Sequence, residues 1–248
     1  MDWSFQLYSA RNFQPWDAVF DMLAGLGYAE VEGYGGVYDD AAAIRAALDR
    51  NGLAMPTGHF SLDMLEHSYD AARRLADVLG IATLICPHVE EHERPADAAG
   101  WRGLGERLAA IGEKARRDGH GLAWHNHDFE LRPLADGSLP LDHMLAAAPD
   151  MGWEMDLAWL VRAGADPAGF IARYARRIMA AHVKDIARPG EATGEDGWSD
   201  VGHGTIDWRA MLKLLRSKTG ARRFVMEHDN PSDVERFARR SIEAVRSF

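Results

Sequence analysis

Seven short apolar runs in this 248-residue chain break off in acidic, histidine or lysine side chains. Val31 gives way to Glu32, Gly58 to His59, and Pro87 to His88. Later come His125-Asn126-His127-Asp128-Phe129-Glu130, Glu154-Met155-Asp156, His182-Val183-Lys184-Asp185 and Glu227-His228-Asp229. One charge at the end of a strand is ordinarily solvated. Seven that face one rim point to a shared site. His, Asp and Glu converging without cysteine suit a divalent ion such as Mn, Co, Mg or Zn, because the donors are neither all oxygen nor thiolate. Asp156, His182 and Glu227 are the candidate ligands, since each cuts an apolar strand short. Side chains alternate along a strand, so His125 and His127 share a face with Asn126 opposite, and Glu227 and Asp229 share a face with His228 opposite. His88, His203 and His228 read as hydrogen-bonded rim residues. No G-x-S-x-G elbow supports a serine hydrolase. The triplet HNH lies in a strand, not in a small ββα nuclease motif.

The elements that must carry these residues alternate regularly. Strands are expected at 3–8, 29–33, 54–59, 82–86, 122–126, 152–156, 179–184 and 224–228. Helices are expected at 15–25, 39–50, 64–79, 98–118, 139–148, 167–176, 207–218 and 231–247. Gly27, Gly52, Gly80, Gly119 and Gly220 sit where helices should stop, and Asp166-Pro167, Asp207-Trp208 and Asn230-Pro231 where others should start. Eight strand–helix units in this length predict a (β/α)8 TIM barrel with catalytic groups at the C-terminal ends of its strands. A doubly wound sheet is the alternative, but no G-x-G-x-x-G follows the first strand and no Walker loop occurs. The stretch 186–206, rich in Gly and charge, reads as a lid or binding loop. No shift in composition divides the chain, so residues 1–248 are read as one domain.

With 28 Lys and Arg against 38 Asp and Glu, the formal charge is −10, which argues against a nucleic-acid partner gripped through phosphates. The runs at Arg173, Arg176, Arg177 and at Arg239, Arg240 read as solvated helix faces. Cys86, the sole cysteine, falls in an apolar run and reads as a buried thiol. No signal-peptide pattern opens the chain and no apolar stretch reaches 18 residues, so no membrane partner is expected and the expected location is cytoplasmic.

In order, HNHDFE, WEMDLAW, AHVKD, VGHGTIDW and VMEHD resemble the xylose-isomerase-like barrels. That superfamily groups sugar phosphate isomerases and epimerases with inosose dehydratase-like proteins and endonuclease IV. The resemblance runs from FQLYS in the first strand to MEHD in the eighth. It implies one divalent ion held from strands 5 to 8, with Asp156, His182 and Glu227 matching the family's Asp, His and final Glu. The first position departs: His125 stands nearest the place of a Glu, and Glu130 resembles a downstream Glu that contacts substrate. The residues that hold ketose oxygens in the epimerases are not matched, because Trp159 and Asp185 stand nearby instead. The zinc-binding His set of endonuclease IV is not reproduced.

The chemistry so implied is proton abstraction beside a carbonyl, through an enediolate stabilised by the metal. The expected activity is a divalent-metal-dependent isomerase or epimerase of a small sugar, keto-sugar or cyclitol. A lyase, dehydratase or hydratase acting on a 3-keto-glycoside or inosose is the close alternative, and a non-catalytic sugar-binding or assembly subunit the second. Glu227, His125 and His127 are the expected catalytic groups, and His125, Asp156, His182 and Glu227 the expected ligands. Glu32, His59, Glu130 and Lys184 are expected to face the substrate, with Trp159 stacking on a sugar face or packing helix to barrel. A homo-oligomer is left open.

Overall fold

A computed structural model describes residues 2–248. Its barrel strands are β1 (Trp3–Gln6), β2 (Glu30–Gly33), β3 (Ala54–His59), β4 (Thr83–Cys86), β5 (Gly121–His125), β6 (Gly152–Asp156), β7 (Ile178–Val183) and β10 (Arg223–Met226). All neighbours are parallel, and β10 closes the ring by pairing with both β7 and β1. The expected TIM barrel is therefore present, with strand 8 beside strand 1. Two extra strands, β8 (Asp185–Ile186) and β9 (Trp198–Ser199), form an antiparallel hairpin inside the long loop after β7.

Helices surround the ring: α1 (Trp16–Leu26), α2 (Ala41–Asn51), α3 (Leu62–His67), α4 (Tyr69–Leu79), α5 (Ala98–Arg117), α6 (Pro140–Ala147), α7 (Leu157–Arg162), α8 (Pro167–Tyr174), α9 (Trp208–Lys218) and α10 (Val234–Arg246). Cap chemistry starts many of them. Asp97, Asp207 and Asp233 accept from the backbone N–H three residues on, at 2.8, 3.0 and 2.9 Å, satisfying donors with no partner inside the helix. Gly27 and Gly52 end α1 and α2 with φ of 86° and 65°, a left-handed turn that a side chain would strain. The helices bury an apolar face against the strands, where Phe5, Phe20, Trp153, Phe224 and Phe237 are fully enclosed. Each such burial stabilises the fold by roughly 1.5–3 kcal/mol.

Three expectations change in detail. The first strand stops at Gln6, because the chain coils into a 3-10 turn over Leu7–Ala10 capped by the Gln6 side chain. The helix expected at 64–79 is two helices, since Ser68 leaves helical geometry (φ −136°, ψ 33°) between α3 and α4. A short helix, α7, follows β6 directly, capped by Asp156, which accepts from the Trp159 N–H. No helix among the described residues is long and apolar enough to cross a membrane.

Candidate active site at the C-terminal rim

Strand register sets the site. Asp156 of β6 lies opposite His182 of β7, His125 of β5 opposite Glu154 of β6, and Gln6 of β1 opposite Glu32 of β2. Alternation then carries these side chains inward at the ends of the strands. His125, Asp156, His182 and Glu227, the expected ligands, come together: one donor atom from each lies within 4.8 Å of the others, and all four residues are buried. A second group, His59, His125, Glu154 and His182, meets the same distance condition, with His59 partly exposed and the other three buried. Over them opens a cavity of about 880 Å³ that His59, His125, His127 and Glu227 help to line.

His182 is the hinge between the two groups. Its Nδ1 lies 2.8 Å from Glu227 Oε2 and 4.0 Å from Asp156 Oδ2, while Nε2 lies 2.7 Å from Glu32 Oε1 and 3.1 Å from Glu154 Oε2. Burial alone would lower its pKa, but Glu154, Glu227 and Glu32 outweigh that and hold it well above the usual histidine value. Gln6 Nε2 donates to Glu32 Oε1 at 2.7 Å, and His59 Nε2 lies 2.9 Å from Glu154 Oε2. Lys184, buried, reaches Glu227 at 3.1 Å and Asp229 at 2.5 Å. Burial opposes ionisation of Glu227, yet Lys184 and His182 keep its pKa well below the ordinary carboxylate range. Asp156 moves the other way, up to about 6, because burial outweighs Lys184.

The β5 imidazoles differ from His182. Burial, then the positive charge of Lys184, takes His127 down to about 3, and burial with His182 nearby takes His125 well below its ordinary value. Both are neutral at working pH. Nδ1 of each, together with Asp156 Oδ2, is buried without a hydrogen-bond partner. Buried polar atoms without hydrogen bonds are costly, and these three lie in or beside the His125, Asp156, His182 and Glu227 cluster.

The side chains expected to face substrate divide. His59 lines the cavity; Glu32, Glu130 and Lys184 are fully buried off its lining, and Trp159, partly exposed, is off the lining too. Glu32 is taken up by Gln6 and His182. Glu130 accepts from Trp124 Nε1 at 2.9 Å and from the His127 N–H at 3.0 Å, which sets the His127 backbone. Trp159 packs edge-on against Trp198, with His127 on its other side. These four lie off the cavity lining, because a place at or near a strand end does not fix exposure. The same-face partners appear as alternation requires: Asn126 turns away to accept from Trp153 Nε1 and the Asp156 N–H, both at 2.9 Å. Glu154 was missed as a site residue, although its i, i+2 spacing from Asp156 carried the signal; Gln6 and Asp196 carried none.

The sequence profile of the xylose isomerase-like TIM barrel family matches residues 20–248. A rhizopine catabolism protein, MocC, of Rhizobium meliloti is 25% identical over a 242-position alignment spanning 84% of this chain and 72% of that protein. Among solved structures, a sugar phosphate isomerase/epimerase from Parabacteroides distasonis superposes with a TM-score of 0.83 at 17% identity, covering 99% of this chain and 93% of the other. The IOLI protein, solved with a bound zinc atom, superposes with a TM-score of 0.79 at 11% identity, covering 100% and 97%. Likeness at that identity establishes a shared fold, and the profile match over almost the whole chain establishes more: the protein belongs to the xylose isomerase-like TIM barrel family.

Proposed function

We propose that the protein is a divalent-metal-dependent sugar isomerase or epimerase that abstracts a proton beside a carbonyl. One observation carries the reading: His125, Asp156, His182 and Glu227 cluster below the cavity, with Nδ1 of His125 and Oδ2 of Asp156 buried without a hydrogen bond. Two imidazoles and two carboxylates fit Mn, Co or Zn by donor type. The bound zinc of the IOLI structure supports the choice of cluster. His125, Asp156, His182 and Glu227 would hold a divalent ion, which would supply Lewis-acid polarisation of a carbonyl and its neighbouring hydroxyl.

The chain's own groups do the rest. Glu32 accepts from His182 Nε2 and so leaves Nδ1 facing Asp156 and Glu227. Lys184 keeps Glu227 ionised. His125 is committed as a ligand, which leaves His127 as the base: it lines the cavity and is neutral. Burial makes it a weak base, adequate for a C–H already acidified by a polarised carbonyl. Proton return to the opposite face of the enediolate gives an epimer; return to the neighbouring carbon gives an isomer.

Elimination of a β-oxygen from the same intermediate would make a lyase or dehydratase, a second reading favoured by imidazole where the family has its first Glu. Likeness to a protein of rhizopine catabolism supports a catabolic setting for either. Metal-loaded protein incubated with keto-sugars in D2O tests both by NMR. Deuterium entering beside the carbonyl without loss of water supports the isomerase or epimerase; loss of water or an alcohol supports the lyase. Sugar binding without exchange leaves the non-catalytic subunit.

A further inference from the structure

The cavity over the site is one-sided in charge. Among the described residues that line it, Arg11 is the only Lys or Arg, whereas Asp63, Glu90, Glu93, Asp196, Glu227 and Asp229 are all carboxylates. Lys184 offsets Glu227 and Asp229 from behind. The other four are exposed at the mouth. Arg162 lies near Asp196, Arg107 near Glu93 and His88 3.7 Å from Glu90, but among the described residues no Lys or Arg side chain comes within ion-pair distance of the four. Arg11 is partly committed: its Nη1 donates to the Tyr8 and Asp229 carbonyls at 3.0 and 2.5 Å.

A second observation points the same way. Barrels of this kind frequently hold a substrate phosphate with the loops after strands 7 and 8 and a helix N-terminus. Here the protein's own carboxylate fills that place. Glu195, on the loop after β7, accepts from the Ser232 N–H at 2.7 Å and lies 2.9 Å from Arg236 Nη2, beside the start of α10. The Ser232 hydroxyl donates to it as well. The N–H and guanidinium that would greet a phosphate already hold an anion.

We infer that the substrate of this site carries no phosphate: it is a neutral polyhydroxy carbonyl compound or an amine-bearing one, admitted through a carboxylate-lined mouth that repels phosphate esters. The inference rests on the isomerase or epimerase reading for what the substrate is, but its charge is open to a test without turnover. A low-dielectric cleft lined by one sign of charge focuses its field and changes encounter rates by tenfold or more at low salt. Screening over about 10 Å at 0.1 M salt removes much of that effect.

Met64→Cys and, separately, Tyr8→Cys place a thiol on the cavity wall. The native Cys86 is silent, because it is buried and burial pushes its thiol up to about 12. Each variant is treated with a trimethylammonium-bearing and a sulfonate-bearing methanethiosulfonate, and rates are normalised to those with a small free thiol. The expected result is a normalised preference for the cation of about tenfold at low salt. The preference should shrink at high salt and when Asp63→Asn, Glu90→Gln, Glu93→Gln and Asp196→Asn are combined. A normalised ratio of one or less, or one unmoved by salt and neutralisation, overturns the inference. So does a phosphorylated keto-sugar exchanging deuterium as well as its neutral parent. Failure of every sugar to exchange while the reagent preference stands removes the isomerase reading and leaves the charge selection intact.

Discussion

His182 is gripped from both sides, by Glu227 at Nδ1 and by Glu32 at Nε2, and the second contact decides which nitrogen is free to bind an ion. A carboxylate behind a histidine ligand fixes its tautomer and strengthens it as a donor, and losing one typically lowers metal affinity by about 10–100-fold. Glu32→Gln should therefore weaken metal binding by that factor in calorimetry while leaving the ligand set complete; unchanged affinity would strip Glu32 of the role. The β5 imidazoles separate differently. His125→Gln should lose metal and deuterium exchange together, whereas His127→Gln should keep the metal and lose at least about tenfold in exchange rate, the lower side of what a general base contributes. Retained exchange in His127→Gln would move the base elsewhere, with Glu227 next in line. Most of these residues were legible as polar breaks at the ends of apolar strands, since alternation tells which face a side chain takes. Depth was not legible. Glu32 and Lys184 lie beside the ligands but are fully buried and off the cavity lining, which spacing along a strand does not decide.

The eight barrel strands were readable as short apolar runs because they are buried on both faces, and most helices because each buries one periodic face. The break at Ser68 was not, since the apolar pattern of α3 runs on into α4 and the turn is set by tertiary contact: Tyr69 is buried and its hydroxyl donates to Asp118 beyond α5. The loop after β7 likewise hid its order, because its anchors are polar. Asp185, buried, accepts from the Ile186, Gly202, Gly204 and Ile206 N–H groups. A Cβ on Gly204 would run into that carboxylate and the Ile186 carbonyl. Glu195 ties the far side of the loop to α10. Although partial burial opposes it, hydrogen bonds from Ser232 and the pairing with Arg236 bring Glu195 down to about 2. A carboxylate lowered in the fold contributes stability that is present above its ordinary value near 4.5 and is lost as pH falls toward 2. Glu195→Gln should thus cost on the order of 2 kcal/mol at pH 7. In denaturant melts the gap from wild type should narrow between pH 4.5 and pH 3; a gap of equal size at both pH values would mean that the charge of Glu195 does not anchor the loop.

The whole barrel holds an unusual concentration of charge at its centre. Glu32, Glu154, Asp156, Glu227 and Asp229 are five carboxylates, of which Glu32, Glu154 and Asp156 are fully buried and Glu227 nearly so. Against them stand three groups that carry positive charge, His59, His182 and Lys184, whose pKa values are all raised by those carboxylates against the effect of burial. With an ion on Nδ1, His182 would be neutral, so the fully ionised carboxylates would face only His59 and Lys184 and the centre would carry 2 − 5 = −3 charges. Buried like charges destabilise the fold unless cations balance them, and one divalent ion would offset most of that excess. An ion bound only by the folded state adds RT ln(1 + [L]/Kd), about 2.7 kcal/mol at a hundredfold excess over Kd. For a chain of this size each kcal/mol moves Tm by roughly 2–4 °C, so loading with Mn or Zn should raise Tm by about 5–10 °C over chelator-treated protein. His182→Ala, which removes the donor central to both groups, should abolish that rise and the activity together. Matching melting curves with and without metal in the wild type would mean that the internal hydrogen bonds alone balance the core, and would undo the metal site whatever the protein turns over.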